Sequence, residues 1–252
     1  MKEELVSIIV PVYNSEDFID NTIKTVLDQT YLNWELLLIN DCSTDNSEDI
    51  IKKYLKMDKR IKLLNNQNNS KAAITRNNGI KASNGRYICF LDADDLWDKK
   101  KLEKQILFMK ENKCAFSFTG YEFANNDGVP NGKKVYVPNK INYKEALKNT
   151  TIWTSTVMFD MCILNKDDIY MPNVERGQDT ATWWKVLKKI DYAYGLNEIL
   201  SFYRRSVGTL SSNKFKALKR TWNLYRKVEK LNIFSSLYYF AFYCINALKR
   251  RI

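Results

Sequence analysis

Three carboxylates fall within four residues at Asp92-Ala93-Asp94-Asp95, directly after the apolar run 87–91 (YICFL). Like charges this close repel, and stability alone gives no reason to gather them. Two uses fit the spacing. A hard divalent cation, Mg²⁺ or Mn²⁺, would neutralise the group and keep positions open for phosphate oxygens. Alternatively, Asp94 or Asp95 caps the helical pattern that begins near Lys99 and complements its dipole. A second polar segment, Asn40-Asp41-Cys42-Ser43-Thr44-Asp45, also follows an apolar run and precedes a helical pattern. Asp41 has the acceptor chemistry to read a nucleobase N–H or a ribose hydroxyl, while Ser43 or Thr44 suits a helix cap. On local pattern alone, capping is the simpler reading of that segment. The chain has no histidine, which excludes Ser-His-Asp and Cys-His catalysis and every imidazole metal site. Acid–base work falls to carboxylates, Lys, Tyr or Cys.

The elements that must position these groups read as strands alternating with helices. Apolar runs at 7–12 (SIIVPV), 34–39 (WELLLI), 61–64 and 87–91 alternate with helical spacing at 15–28, 44–57, 72–82 and 99–111. Ser15 is the expected N-cap of the first helix. Continuously apolar strands separated by helices imply a parallel sheet covered on both faces, with ligands bound beyond the carboxyl ends of the strands. Tyr13-Asn14, Asn40-Asp41 and residues 92–95 all fall at such ends, so three clusters distant in sequence are expected at one crevice. In the second half, strands are expected at 115–121, 134–137, 156–159 and 199–203, and a helix at 179–188.

The length of 252 residues suits one α/β domain with an appendage. The net charge of +11 is uneven: residues 213–252 hold ten Lys or Arg against the single acid Glu229, or +9, which leaves about +2 for the first 212 residues. A near-neutral body argues against nucleic acid as a partner. Five scattered cysteines without a CxxC pair suit a reduced, cytoplasmic setting. In the tail, Phe215, Leu218, Trp222 and Tyr225 share one face of a helical pattern at 214–230. Residues 231–248 carry no charge, yet as a helix they would span roughly 27 Å, slightly short of a bilayer core. Their polar stripe (Asn232, Ser235, Ser236, Tyr239, Tyr243, Asn246), flanked by Lys230 and Lys249-Arg250-Arg251, suits a helix lying on an anionic inner-leaflet membrane surface. The alternative is a tail packed on its own domain or on the second subunit of a homodimer.

Residues 7–14 (SIIVPVYN), Leu27-Asp28-Gln29-Thr30-Tyr31, the segment 40–45, Arg76-Asn77-Asn78-Gly79 and Leu91-Asp92-Ala93-Asp94-Asp95 occur in order. Together they resemble the donor-binding half of the family-two inverting glycosyltransferases of bacterial polysaccharide assembly, over about residues 5–110. The resemblance implies the GT-A fold: a Rossmann-like, mostly parallel central sheet with helices on both faces, here followed by a helical tail. It divides the chain into a glycosyltransferase domain at 1–212, with a nucleotide-binding half at about 1–112 and an acceptor half at 113–212, and a basic tail at 213–252. It also implies residue roles. Pro11, Tyr13 and Asp41 line the nucleoside pocket, with Asp41 reading the base. Asp92 lies near the ribose and diphosphate, Arg76 near the base or diphosphate, and Asp94 is the direct ligand of Mn²⁺ or Mg²⁺. The family often has Asp-Asp-Gly where this chain has Asn40-Asp41-Cys42, so the loop loses its glycine.

Further on, Arg176-Gly177-Gln178-Asp179-Thr180 resembles the family's acid-rich motif at a helix start, which makes Asp179 the catalytic base; the local alternative is a helix cap. Trp183 or Trp184 could stack on sugar, though adjacent positions point apart and at least one belongs to the core. Tyr203-Arg204-Arg205-Ser206 and residues 209–212 resemble a late loop that closes over the donor. Arg204 or Arg205 is then a diphosphate contact, with a plain surface role as the alternative. The implied reaction is metal-dependent, inverting transfer from a nucleoside-diphosphate sugar, by family a UDP-sugar, to a saccharide acceptor that a membrane-bound tail would reach on a lipid diphosphate, as in O-antigen assembly. A sugar-nucleotide nucleotidyltransferase and a non-catalytic basic binding module are the competing classes. The first usually shows a glycine-rich basic loop, and none occurs near residues 10–16.

Overall fold

The computed structural model describes residues 4–148, 151–174, 176–204 and 214–249. Strand β1 (Val6–Val12) is apolar along its length because both of its faces are covered. Ile8 and Val10 point into one core and Ile9 into the other, as the period-2 geometry of a strand requires. Helix α1 (Ile19–Leu27) buries Ile19, Ile23 and Val26 as one stripe against the first core. The chain continues through β2 (Trp34–Asn40), α2 (Ser47–Met57), β3 (Ile61–Asn65), α3 (Lys71–Ala82), β4 (Tyr87–Phe90), β5 (Leu96–Trp97) and α4 (Lys101–Asn112). The second half adds β6 (Phe116–Ala124), β7 (Pro130–Val135), β8 (Lys140–Ile141), α5 (Tyr143–Leu147), a 3-10 turn at Thr154–Thr156, β9 (Met158–Asp160), α6 (Lys166–Ile169), α7 (Gln178–Leu187) and β10 (Ala193–Arg204).

One sheet runs in the order β3-β2-β1-β4-β9-β6-β10-β5, with β7 beside β6 and β8 beside β10. Strands β3, β2, β1 and β4 are parallel. Strand β9 is antiparallel to β4 and β6, and β10 is parallel to β6, so the sheet is parallel in its first half and mixed beyond it. The register pairs Val12 with Asn40 and Ile9 with Phe90. This levels the carboxyl ends of β1, β2 and β4, and Tyr13, Asp41 and Asp92 leave the sheet at one edge.

Several local expectations change. Ser15 does not cap α1: its carbonyl accepts from the Phe18 and Ile19 amides, and that turn delays the helix to Ile19. The strand expected at 134–137 lies at Pro130–Val135, because the Asn125 side chain accepts from the Asp127 and Val129 amides and closes the hairpin earlier. The strand expected at 199–203 is the end of a twelve-residue strand, whose register shifts between Leu196 and Ser201 hide its period. The segment 156–159 begins as a turn and becomes strand only at Met158.

The tail forms α8 (Lys214–Asn223), a π turn (Leu224–Val228) and α9 (Ile233–Lys249). Leu224 and Tyr225 enter the core, and the Tyr225 ring stacks on Trp184 at 5.4 Å. The polar stripe of α9 faces the domain rather than solvent: Ser236 and Tyr243 are buried and Asn246 donates to the Lys148 carbonyl. The apolar face points outward instead, with Phe234 81% exposed and Leu237, Tyr238 and Phe242 exposed beside it. No helix among the described residues is long and apolar enough to cross a membrane.

Candidate active site

A cleft of about 550 Å³ opens at the carboxyl edge of β1, β2 and β4, walled by Pro11, Tyr13, Asp41, Arg76, Asp92 and Asp94 among others. Side chains of the loops themselves tie that edge together. The Asn14 amide donates to Ser43 Oγ, and Asn14 Oδ1 accepts from the Thr44 amide at 2.8 Å. Asp45 accepts from the Glu16 and Ser47 amides. Ser43 and Thr44, expected as caps of α2, therefore bind the first loop to the second. Asp41 is buried, and its carboxylate accepts from Asn66 Nδ2 and from the Ser70 and Lys71 amides at 2.7–2.9 Å. It anchors the start of α3, a duty its sequence context did not reveal, and keeps one acceptor site for a ligand. Tyr13, by contrast, is 53% exposed and offers a free ring face.

The acidic turn is held from three sides. Thr22 donates to the carbonyls of Ala93 and Asp95. Ser155 Oγ accepts from the Asp92 amide and donates to Asp95 Oδ2. The Asp95 carboxylate, fully buried, also accepts from the Arg204 amide. None of the three carboxylates caps α4; in the turn before it, the Asp98 carboxylate accepts from the Lys100 amide and the Asp98 carbonyl from the Lys101 amide. Asp92 forms an ion pair with Arg76, which reaches it from α3. Asp94 lines the cleft, and burial, then the neighbouring Asp92 charge, pushes its pKa up to about 6. Burial and the charges of Asp94 and Asp92 lift Asp95 well above the ordinary carboxylate range. Among the described residues no three acidic or sulfur side chains form a closed metal cage. Two carboxylates, Asp92 and Asp94, stand at the wall of the open cleft and are oxygen donors of the kind a hard dication takes.

Asp179 sits in the first turn of α7, behind Gly177 at φ +80°. Its carboxylate does not cap the helix by the usual reach to a later amide; it accepts from the adjoining Thr180 amide and from Thr154 Oγ1 at 3.3 Å. Thr154 and Ser155 are consecutive, so one 3-10 turn touches Asp179 on one side and Asp92 and Asp95 on the other. Arg204 closes the arrangement. It is 2% exposed, yet among the described residues none of its three guanidinium nitrogens has a hydrogen-bond partner. Its guanidinium lies 4.9 Å from the ring centroid of Phe18, a residue of the cleft wall. A Cβ on Gly128, in the β6–β7 turn, would stand 2.9 Å from Arg204 Nη2. Arg205 falls outside the described residues, as does the segment 209–212.

Both Trp183 and Trp184 are buried in the core, Trp183 against Phe116 and Phe159, and neither reaches the cleft. The half-buried Trp153 was not singled out from sequence, yet it precedes Thr154 and packs on Tyr203 and Tyr121 at 4.0 and 5.0 Å. The only signal for this turn was a run of hydroxyl residues around a tryptophan, which has neither helical nor strand period.

A model of the family described as glycosyl transferase family 2 matches residues 7–172. TuaG of Bacillus subtilis (strain 168), named as a glycosyltransferase, is 46% identical over 98% of this chain and 98% of its own. WfgD of Escherichia coli, named as a UDP-Glc:alpha-D-GlcNAc-diphosphoundecaprenol beta-1,3-glucosyltransferase, is 40% identical over 99% of this chain and 96% of its own. Among solved structures, S. aureus TarS 1–349 in complex with UDP-GlcNAc matches with a TM-score of 0.71 at 20% identity, covering 88% of this chain and 66% of that one. The mannosyltransferase PcManGT of Pyrobaculum calidifontis, in complex with GDP-Man and Mn²⁺, matches with a TM-score of 0.67 at 15% identity, covering 89% and 63%. These structures share the GT-A fold with the chain. With the family model spanning more than half of its length, and two glycosyltransferases aligned to it nearly end to end, the chain belongs to glycosyl transferase family 2 and is a glycosyltransferase.

Proposed function

We propose that the chain moves a sugar from a UDP-sugar to a saccharide carried on a lipid diphosphate, by one inverting displacement with Asp179 as the general base. The observation that carries this reading is the 3-10 turn whose consecutive hydroxyls contact Asp179 and Asp95. It supports a base facing the same space as the acidic turn. The nucleoside lies against Pro11 and the Tyr13 ring, with Asp41 as hydrogen-bond acceptor. Asp94, with Asp92 beside it, would hold Mn²⁺ or Mg²⁺, which when bound supplies positive charge against the departing diphosphate. Arg76 and Arg204 add fixed positive charge there. Asp179 takes the proton of the acceptor hydroxyl as its oxygen bonds to the anomeric carbon. The bond from that carbon to the diphosphate oxygen breaks, and the electron pair leaves with the nucleoside diphosphate.

The acceptor class rests on WfgD, whose name specifies a diphosphoundecaprenol-linked sugar, and on the tail. The outward row of Phe234, Leu237, Tyr238 and Phe242, on a helix next to Lys and Arg, suits peripheral docking on an anionic inner leaflet. The deciding experiment replaces Asp179 by Asn. UDP release in the presence of acceptor should fall by about 10²–10⁴-fold, while the Kd for the UDP-sugar stays unchanged. Near-normal turnover would remove Asp179 from the base role.

A further inference from the structure

A second cleft, of about 480 Å³, lies where the tail meets the segment leading into α7. Arg176 contributes from that segment, and Lys219, Arg220 and Lys227 from α8 and the π turn; among the described residues no carboxylate lines the cleft. None of these four cations makes an ion pair or hydrogen bond among the described residues. Three lysines elsewhere show the contrast: Lys62, Lys188 and Lys189 each meet a buried acid. Four like charges around one concavity repel, and an anion seated among them relieves the repulsion. Two guanidinium forks and two ammonium groups suit phosphate oxygens in particular. Leu224 and Val228 add an apolar surface to the same cleft, so its chemistry is that of a phosphate joined to a hydrocarbon.

The position is as informative as the charge. A Cβ on Gly177 would stand 2.8 Å from Leu224 Cδ1 and 3.3 Å from Arg220 Cδ. The cleft wall therefore packs directly on the residue that opens α7, two residues before Asp179. Two residues of chain span roughly 7 Å at most, a gap that one hexose ring can bridge. On the far side, α8 contacts α9, which carries the outward apolar row.

We propose that this cleft binds the diphosphate of the lipid-linked acceptor and so presents the acceptor hydroxyl to Asp179. The inference rests on the acceptor class proposed above and adds the residues that recognise it: Arg176, Lys219, Arg220 and Lys227.

The probe is geranyl diphosphate, a short lipid diphosphate without sugar, titrated calorimetrically into the full chain with UDP and Mn²⁺ present to fill the donor cleft. The wild type should bind one equivalent. The double variant Arg220→Gln, Lys227→Gln should bind about tenfold or more weakly, with its thermal midpoint and UDP affinity unchanged. Equal affinity in the two proteins overturns the proposal, as does displacement of the probe by UDP. Phosphatidylglycerol vesicles separate the other source of the same chemistry. If the double variant loses vesicle binding but keeps its affinity for geranyl diphosphate, the cations serve phospholipid headgroups and the proposal falls. The two readings fail differently. Capture of geranyl diphosphate in this cleft without transfer to any diphosphate-linked saccharide sinks the acceptor class and leaves the site standing. Transfer to such saccharides with an unchanged KM in the double variant sinks the site and leaves the acceptor class standing.

Discussion

Two of the molecule's clefts have similar volume and opposite charge. The donor-side cleft collects Asp92 and Asp94 at the edge of the parallel strands, with Asp95 buried beneath them. The tail-side cleft collects Arg176, Lys219, Arg220 and Lys227 on helices and a loop. Each holds a crowd of like charges that folding alone does not reward, and each crowd is relieved by a different partner. Carboxylates at a sheet edge want a cation that a diphosphate can share; cations on a helix want the diphosphate itself. In the reaction proposed above, the same chemical group, a diphosphate ester, would be read in two ways within one chain, as a leaving group on one side of Asp179 and as a handle on the other.

The largest effect on donor binding should come from removing the charge that distinguishes the donor side. Asp94→Asn keeps the shape and deletes one of three crowded carboxylates. Loss of an outer-shell partner of a metal costs about 10–100-fold in affinity, and loss of a direct ligand should exceed that. UDP-sugar affinity in Mn²⁺ should fall by more than about 100-fold, while the thermal midpoint rises because repulsion with Asp92 and Asp95 is relieved. Chelation with EDTA should reproduce the affinity loss in the wild type and leave geranyl diphosphate binding at the tail-side cleft intact. If Asp94→Asn binds donor as the wild type does in excess Mn²⁺, the donor-side half of the comparison is wrong.

Arg204 sharpens the contrast, because it is a cation placed on the acidic side. Lys101 shows what a buried cation does when it can escape. It is fully buried over the Trp97 ring with no carboxylate partner, and burial pushes its pKa down to about 8. A guanidinium has no such exit, since it stays protonated in proteins. A buried Arg204 with unused donors is therefore a standing cost in the unliganded fold and a prepared contact for an anion. Arg204→Gln should raise the thermal midpoint and weaken UDP-sugar binding, by about 10–100-fold if one or two charge-assisted hydrogen bonds are lost. Lower stability with unchanged donor affinity would make Arg204 structural.

The donor-side half of the fold was legible because its strands are buried on both faces and its polar clusters follow them directly. Hydrophobic runs marked β1 to β4, and the parallel register brought Tyr13, Asp41 and Asp92 to one edge, as the alternation implied. What stayed hidden was done by short-range hydrogen bonds. Asp41 anchoring α3, Ser43 binding Asn14, and Thr154 and Ser155 joining Asp179 to the acidic turn have no periodic signature. Trp183 and Trp184 drew attention as sugar platforms because of their type, but burial claimed both. The orientation of α9 was also unreadable from composition: its polar stripe finds a partner in the Lys148 carbonyl and its neighbours in the domain, which turns the apolar face outward. The tail-side cleft needs Arg176 and three tail cations from more than forty residues away, and the packing of α8 and the π turn on Gly177 and Trp184 brings them together. Membership of the family sets aside the nucleotidyltransferase and the non-catalytic module, which the motifs alone had left as competitors.

The smallest effect concerns the loop that lost its glycine. Both clefts have a left-handed residue in a loop at their margin: Gly177 at φ +80° on the tail side and Cys42 at φ +62° on the donor side. Glycine takes that conformation without penalty, while a residue with a Cβ pays about 1–2 kcal/mol. Cys42 recovers part of this through its thiol, which donates to the Asn66 carbonyl at 3.3 Å and so helps hold the loop around Asp41. Cys42→Gly should relieve the backbone and lose that contact, while the unfolded chain gains freedom worth about 0.5–1 kcal/mol. The terms nearly cancel. The variant should be more stable by less than about 1 kcal/mol, a rise of at most a few degrees in thermal midpoint, with UDP-sugar affinity unchanged. A stability loss of more than about 1 kcal/mol, or a weaker donor Kd, would show that the thiol rather than the backbone sets this loop, and that the donor side relies on a side chain where the tail side relies on glycine.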